Sequence, residues 1–99
     1  MAPDYEMFHA SLAHDAPPAG LSSALQALWH DARGDWNAAH TTIQHDDSRA
    51  SAWVHAYLHR KEGDLANAGY WYHRAGKPVA TDPLGVEWEA IARALLAAY

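Results

Sequence analysis

One short phrase occurs twice and limits the folds that this chain can adopt. Gly34-Asp35-Trp36-Asn37-Ala38-Ala39 returns further along as Gly63-Asp64-Leu65-Ala66-Asn67-Ala68. Glycine reaches the left-handed backbone angles that commonly end a helix, and aspartate caps the first free N–H groups of a following helix. The repeated Gly-Asp therefore predicts two helix–corner–helix units, in which the second helix packs back on the first.

The spacing of apolar residues predicts helices on both sides of these corners. Leu21, Leu25 and Leu28 recur at helical intervals, and the stretch from Leu84 to Leu95 carries a similar stripe. We expect this last helix to close the end of the second hairpin. The prediction is one all-α domain over 1–99, divided into an N-terminal arm or short helix (1–20), hairpin 1 (21–46), hairpin 2 (48–78) and a closing helix (82–99).

Composition excludes several classes of function. The 99 residues contain no cysteine, which rules out disulfides, thiolate metal sites and a cysteine nucleophile. A net charge of −5 disfavours binding to nucleic acid or to anionic membranes. The N-terminal residues lack the basic segment followed by an apolar segment that is typical of a signal peptide. No apolar run approaches the ~20 residues of a membrane span. We therefore expect a cytoplasmic protein.

The corner sequence resembles that of tetratricopeptide-type helical hairpins, which often read Gly-Asp-aromatic with an alanine three residues on. Gly34-Asp35-Trp36 with Ala39 matches this pattern, and Gly63-Asp64-Leu65 with Ala68 matches it in part. The period is shorter than the ~34 residues of that family. The resemblance implies a concave face that binds a peptide or protein partner. The stretch 63–78 also resembles a segment of small uncharacterised proteins, which implies no activity.

Three consecutive aromatic residues indicate a candidate interface. Tyr70, Trp71 and Tyr72 follow one another in a predicted helix, so they must point in different directions, and at least one should lie away from the core. Arg74 follows one turn later. These features predict a non-catalytic interaction module that self-associates or binds a protein partner through Tyr70, Trp71 and Arg74. The other tryptophans are expected to fill the core.

Two histidines, together with neighbouring aromatic residues, offer an alternative function in small-ligand or metal binding. His55 and His59 stand four residues apart, so one helical turn can present both to a single ion. Further ligands would come from His30, His73 or a carboxylate. The structural alternative is that these histidines flank helix ends, where the helix dipole favours them. The sequence favours this structural role, and it predicts neither a cofactor nor a metal ion.

Two weaker patterns complete the candidates. The basic residues near the second hairpin offer an anion site or, more simply, cations at the ends of two helices; they are Arg60, Lys61, Arg74 and Lys77. Ser51 lies one turn before His55, but neither a nucleophile elbow nor a glycine-rich phosphate loop is present. We therefore do not expect an enzyme.

Overall fold

The chain folds entirely into helices. The computed structural model describes residues 3–98, and no strand occurs among them. Its elements are α1 (Tyr5–Ala10), a 3₁₀ turn (Ser11–Ala13), α2 (Ser23–Ala32), α3 (Trp36–Ile43), α4 (Arg49–Lys61), α5 (Leu65–Ala75) and α6 (Leu84–Ala97). The predicted all-α class is confirmed. The predicted segments 1–20 and 82–99 include residues 1, 2 and 99, which lie outside the described residues.

Both Gly-Asp corners turn the chain as the sequence predicts. Gly34 and Gly63 have φ angles of +83° and +89°, in the left-handed region that glycine reaches without strain. Asp35 Oδ1 then accepts a hydrogen bond from Ala38 N at 2.9 Å, and Asp64 caps α5 in the same way. The most extensive helix contacts are accordingly α2 with α3 and α4 with α5. A tetratricopeptide-like stacking of these hairpins stays a prediction.

Helices α1 and α6 cover the hairpins and complete the core. Phe8 is fully buried and stacks on Trp88 with 5.9 Å between ring centroids. Trp88 Nε1 donates to Leu28 O at 3.0 Å, which ties α6 to α2. Helix α6 contacts α1, α2 and α4, so it crosses both hairpins, whereas the sequence predicted packing on the end of the second hairpin. The N-cap of α6 is Pro83.

A buried carboxylate joins the two hairpins. Asp31 is 2% exposed and accepts hydrogen bonds from Tyr57 Oη and Lys61 Nζ, both at 3.0 Å. Burial and the neighbouring Asp31 carboxylate raise the pKa of Tyr57, which therefore stays a neutral donor. Lys61 is thus engaged in an ion pair and is not part of an anion site.

A second buried carboxylate connects α6 to the second hairpin. Glu87 is 4% exposed, accepts a hydrogen bond from the Tyr72 hydroxyl and pairs with Arg60 Nη1 at 2.7 Å. Burial and the hydrogen bond to Glu87 raise the pKa of Tyr72. Every buried side-chain nitrogen and oxygen between residues 3 and 98 has a hydrogen-bond partner. Arg60 and Lys61 therefore pair with buried acids and are not available to the anion site considered from the sequence.

Candidate metal centre

Three histidines converge where α3 packs on α4. His55 and His59 lie one turn apart on α4, as the sequence predicts, and His40 faces them from α3. One possible ligand atom from each imidazole lies within 4.8 Å of the other two. His40 Nε2 and His55 Nε2 are 3.0 Å apart. The third histidine is therefore His40; neither His30 nor His73 belongs to this group, which we call the histidine cluster.

Trp36 positions His40 against α4. Its indole Nε1 donates to Leu58 O at 2.9 Å, which brings the first turn of α3 against the later turns of α4. The His40 ring stacks on Trp36 one turn further along, with 5.0 Å between centroids and 6° between planes. Sequence reasoning missed His40. The available signal was the one-turn spacing of Trp36 and His40, which places both side chains on one face of α3.

Glu62 orients the imidazole of His59. Glu62 Oε1 lies 2.7 Å from His59 Nδ1, and the His59 side chain is 9% exposed. A carboxylate accepts a hydrogen bond, so Nδ1 carries the hydrogen and the neutral ring keeps its lone pair on Nε2. Asn67 Nδ2 lies 3.3 Å from this Nε2. A carboxylate behind an imidazole is the usual second contact of a metal-binding histidine.

Trp71 fixes the plane of His55. The two rings stack with 4.0 Å between centroids and 17° between planes. His55 also stacks on His59, one turn further along α4, with 4.8 Å between the ring centroids. Because imidazole nitrogens bind metals at the ring edge, stacking on the faces does not cover the nitrogen of His55 that contacts His40 Nε2.

The environment disfavours the protonated forms of His40 and His55. Burial, together with the neighbouring His40 and His59, lowers the pKa of His55 from 6.5 to about 4. Burial and the neighbouring His59 likewise lower the pKa of His40, although Glu62 opposes this effect. His40 and His55 are therefore neutral at pH 7, which is the form that binds metal ions.

The spacing of His40 and His55 suits a borderline transition metal. Two nitrogens that each lie ~2.0–2.1 Å from one tetrahedral Zn²⁺ are about 3.3 Å apart, close to the 3.0 Å between His40 Nε2 and His55 Nε2. Imidazoles favour Zn²⁺, Ni²⁺ and Cu²⁺ over Mg²⁺ and Ca²⁺, which prefer oxygen. A second possible group of ligands combines His59 with the exposed Glu62 and Asp64. In this group, however, Glu62 already accepts a hydrogen bond from His59 Nδ1.

The predicted interface residues lie together on α5. Tyr70 is 55% exposed, and Arg74 Nη1 donates to its hydroxyl at 3.2 Å. The guanidinium of Arg74 also lies 5.2 Å from the centre of Trp71, which is half-buried. Tyr72 is buried, so the three consecutive aromatic residues do point in different directions. Trp71 joins this surface to the histidine cluster.

Ser51 does not lie in a catalytic arrangement with His55. Its hydroxyl donates to Asp46 Oδ2 at 2.8 Å, next to the N-cap of α4. The hydrogen bond from the Ser48 backbone and this one from Ser51 lower the pKa of Asp46. The contact therefore stabilises the loop between the hairpins.

Comparisons with known proteins identify no relative of this chain. No protein-family model, no curated protein and no solved structure matches it. Among residues 3–98, no helix has both the length and the apolar character to cross a membrane.

Proposed function

We propose that this protein binds one divalent transition-metal ion, of the Zn²⁺ class, through His40, His55 and His59. The observation that carries the proposal is the convergence of three imidazole ligand atoms within 4.8 Å of one another, from two different helices. The chain would then be a metal-binding helical protein, which is the alternative that the sequence left open.

Three properties of the cluster support metal binding over a purely structural role. Glu62 favours the His59 tautomer with its hydrogen on Nδ1, which leaves the lone pair on Nε2 available to a metal ion. Lowered pKa values keep His40 and His55 neutral, so little proton competition opposes a metal ion at pH 7. Stacked tryptophans hold the rings in place, which reduces the ordering cost of binding.

Calorimetry and metal analysis of untagged protein test the proposal. We expect Zn²⁺, Co²⁺ and Ni²⁺ to bind with a stoichiometry of one ion per chain. His40→Ala and His55→Ala should each weaken Zn²⁺ binding by about 100-fold or more, since each removes a ligand. His45→Ala and His73→Ala are matched controls, because both residues are exposed and outside the cluster. Wild-type protein that binds no metal, or His40→Ala protein that binds as tightly as wild type, would contradict the proposal.

As a second candidate, we propose that the α5 surface formed by Tyr70, Trp71 and Arg74 mediates self-association or binds a protein partner. The supporting observation is the Tyr70 ring, which is 55% exposed. Arg74 donates to the Tyr70 hydroxyl, and its guanidinium carbon lies 5.9 Å from the centre of the Tyr70 ring. Aromatic residues and arginine are the types that dominate binding energy at interfaces.

Light scattering after size-exclusion chromatography tests self-association. We expect a mass above the 10.9 kDa of one chain and a return toward that mass in Tyr70→Ala. Val86→Ala is the matched control, since Val86 is equally exposed at 54% but lies on α6. Tyr70 is a better test than Trp71, because Trp71 also contacts His55. A monomeric wild type would contradict self-association.

A further inference from the structure

We infer that the metal ion at the histidine cluster keeps an open coordination position, which takes a small anion held by the side-chain amide of Asn67. This inference rests on the proposed metal-binding function. It extends that function from holding an ion to binding a second, exchangeable ligand on the ion.

The number of ligands leaves one position of a tetrahedral site open. Within residues 3–98, the group of ligand atoms around His40 and His55 contains a third histidine and no carboxylate. Three protein ligands with water or an exogenous molecule in the fourth position are typical of reactive zinc sites, whereas structural sites are closed by four. Three neutral imidazoles also leave the double positive charge of the ion uncompensated, which favours an anion as the fourth ligand.

Asn67 provides a hydrogen-bond donor for that ligand. Its Nδ2 lies 3.3 Å from His59 Nε2, the nitrogen that Glu62 leaves with a free lone pair. A metal ion on Nε2 uses this lone pair, so the amide of Asn67 needs another acceptor. Leaving a partly buried donor unpaired is unfavourable. An anion bound to the metal next to His59 supplies the acceptor.

Within the histidine cluster, His40 on α3 is more exposed than His55 and His59 on α4. His55 and His59 are 6% and 7% exposed, whereas His40 and Asn67 are half-buried. Trp36 and Trp71 stack on the faces of His40 and His55. A small anion can therefore approach past His40, while the stacked rings limit the size of the ligand.

Azide titration of the Co²⁺-loaded protein tests the inference. Co²⁺ reports changes in its ligands through its visible absorption, and metal binding itself is measured beforehand by calorimetry. We expect a saturable spectral change with azide and none with perchlorate at the same ionic strength. Asn67→Ala should weaken azide binding about 5-fold, the factor for one hydrogen bond of ~1 kcal/mol. Asn37→Ala, an exposed asparagine on α3, is the matched control.

Three outcomes distinguish the two proposals. Co²⁺ binding without any azide response overturns the open position and leaves the metal site intact. Tighter azide binding in Asn67→Ala also overturns it, because Asn67 would then occupy the fourth position itself. If calorimetry detects no Co²⁺ binding to the wild type, the proposed metal function fails and this inference fails with it.

Discussion

Trp71 takes part in two candidate sites, and this limits which substitutions are informative. Its ring stacks on His55 at 4.0 Å and lies 5.2 Å from the guanidinium of Arg74. Replacing Trp71 therefore disturbs the histidine cluster and the α5 surface together, and effects at residues in direct contact are not additive. Tyr70 for the surface and His40 for the cluster separate the two functions.

Glu62 should raise the affinity of the cluster for metal without binding the ion. Its carboxylate accepts from His59 Nδ1, which fixes the ring and makes Nε2 more basic. We expect Glu62→Gln to weaken Zn²⁺ binding about 10-fold and Glu62→Ala by up to ~100-fold in calorimetry. Glu89→Gln is the control, since this exposed residue pairs with Arg93. Equal affinities in Glu62→Ala and wild type would show that His59 needs no carboxylate.

The hydroxyl of Tyr57 should matter for stability, whereas that of Tyr70 should not. Tyr57→Phe removes a donor to the buried Asp31, and we expect a loss of about 1–3 kcal/mol in the free energy of unfolding. Tyr70→Phe loses only an exposed contact with Arg74 and should change stability by less than ~0.5 kcal/mol. Urea denaturation measures both. Equal changes in the free energy of unfolding for the two variants would mean that the hydrogen bond from Lys61 is sufficient for the buried Asp31 carboxylate.

At the scale of helices, the corners depend on glycine for a reason of backbone geometry. We expect Gly63→Ala to lower stability by about 1 kcal/mol, because an alanine at φ +89° is strained even though open space surrounds its position. Gly69→Ala should instead raise stability by ~0.5–1 kcal/mol, since Gly69 lies inside α5 and an added methyl group meets nothing within 4 Å. Thermal denaturation compares the two variants. A neutral Gly63→Ala would contradict the role of this corner.

Elements set by neighbouring residues were predictable from the sequence, and contacts between elements were not. Both Gly-Asp corners form, and Asp35 and Asp64 cap α3 and α5, because a few adjacent residues decide each feature. Leu65 fits the apolar stripe of α5 and yet is 68% exposed, since spacing alone does not say where the stripe ends. His40 joins His55 only because α3 packs on α4, and local patterns contain no information on that packing.

At the scale of the whole molecule, the histidine cluster connects the two hairpins. His40 belongs to α3 of the first hairpin, and His55 and His59 belong to α4 of the second. The contact between α3 and α4 is less extensive than the contacts within each hairpin. A metal ion bound to all three histidines would therefore link the two hairpins where their contact is less extensive. At a free metal concentration of 100 times the Kd, binding would stabilise the folded state by about 2.7 kcal/mol.

The stability of the metal-free protein should fall as the pH falls, and the cluster sets the pH range. The pKa of His55 is about 4 in the folded protein and 6.5 as the ordinary value. Between these values the unfolded chain binds a proton that the folded chain does not, so each step toward lower pH favours unfolding. The lowered pKa of His55 should not reduce stability above pH 6.5. Between pH 6.5 and pH 4 it should lower the free energy of unfolding by roughly 3 kcal/mol, with little further loss below pH 4. His40 acts in the same direction.

Urea denaturation between pH 7 and pH 5 measures this slope before most carboxylates titrate. His55→Gln should show a shallower slope, and His73→Gln, an exposed histidine, should keep that of the wild type. Zn²⁺ should raise stability at pH 7 and lose its effect toward pH 5, because protons compete for the same nitrogens. Identical slopes in His55→Gln and wild type would mean that His55 takes up its proton in the folded state as readily as in the unfolded chain, which is incompatible with a buried, neutral His55 between the hairpins.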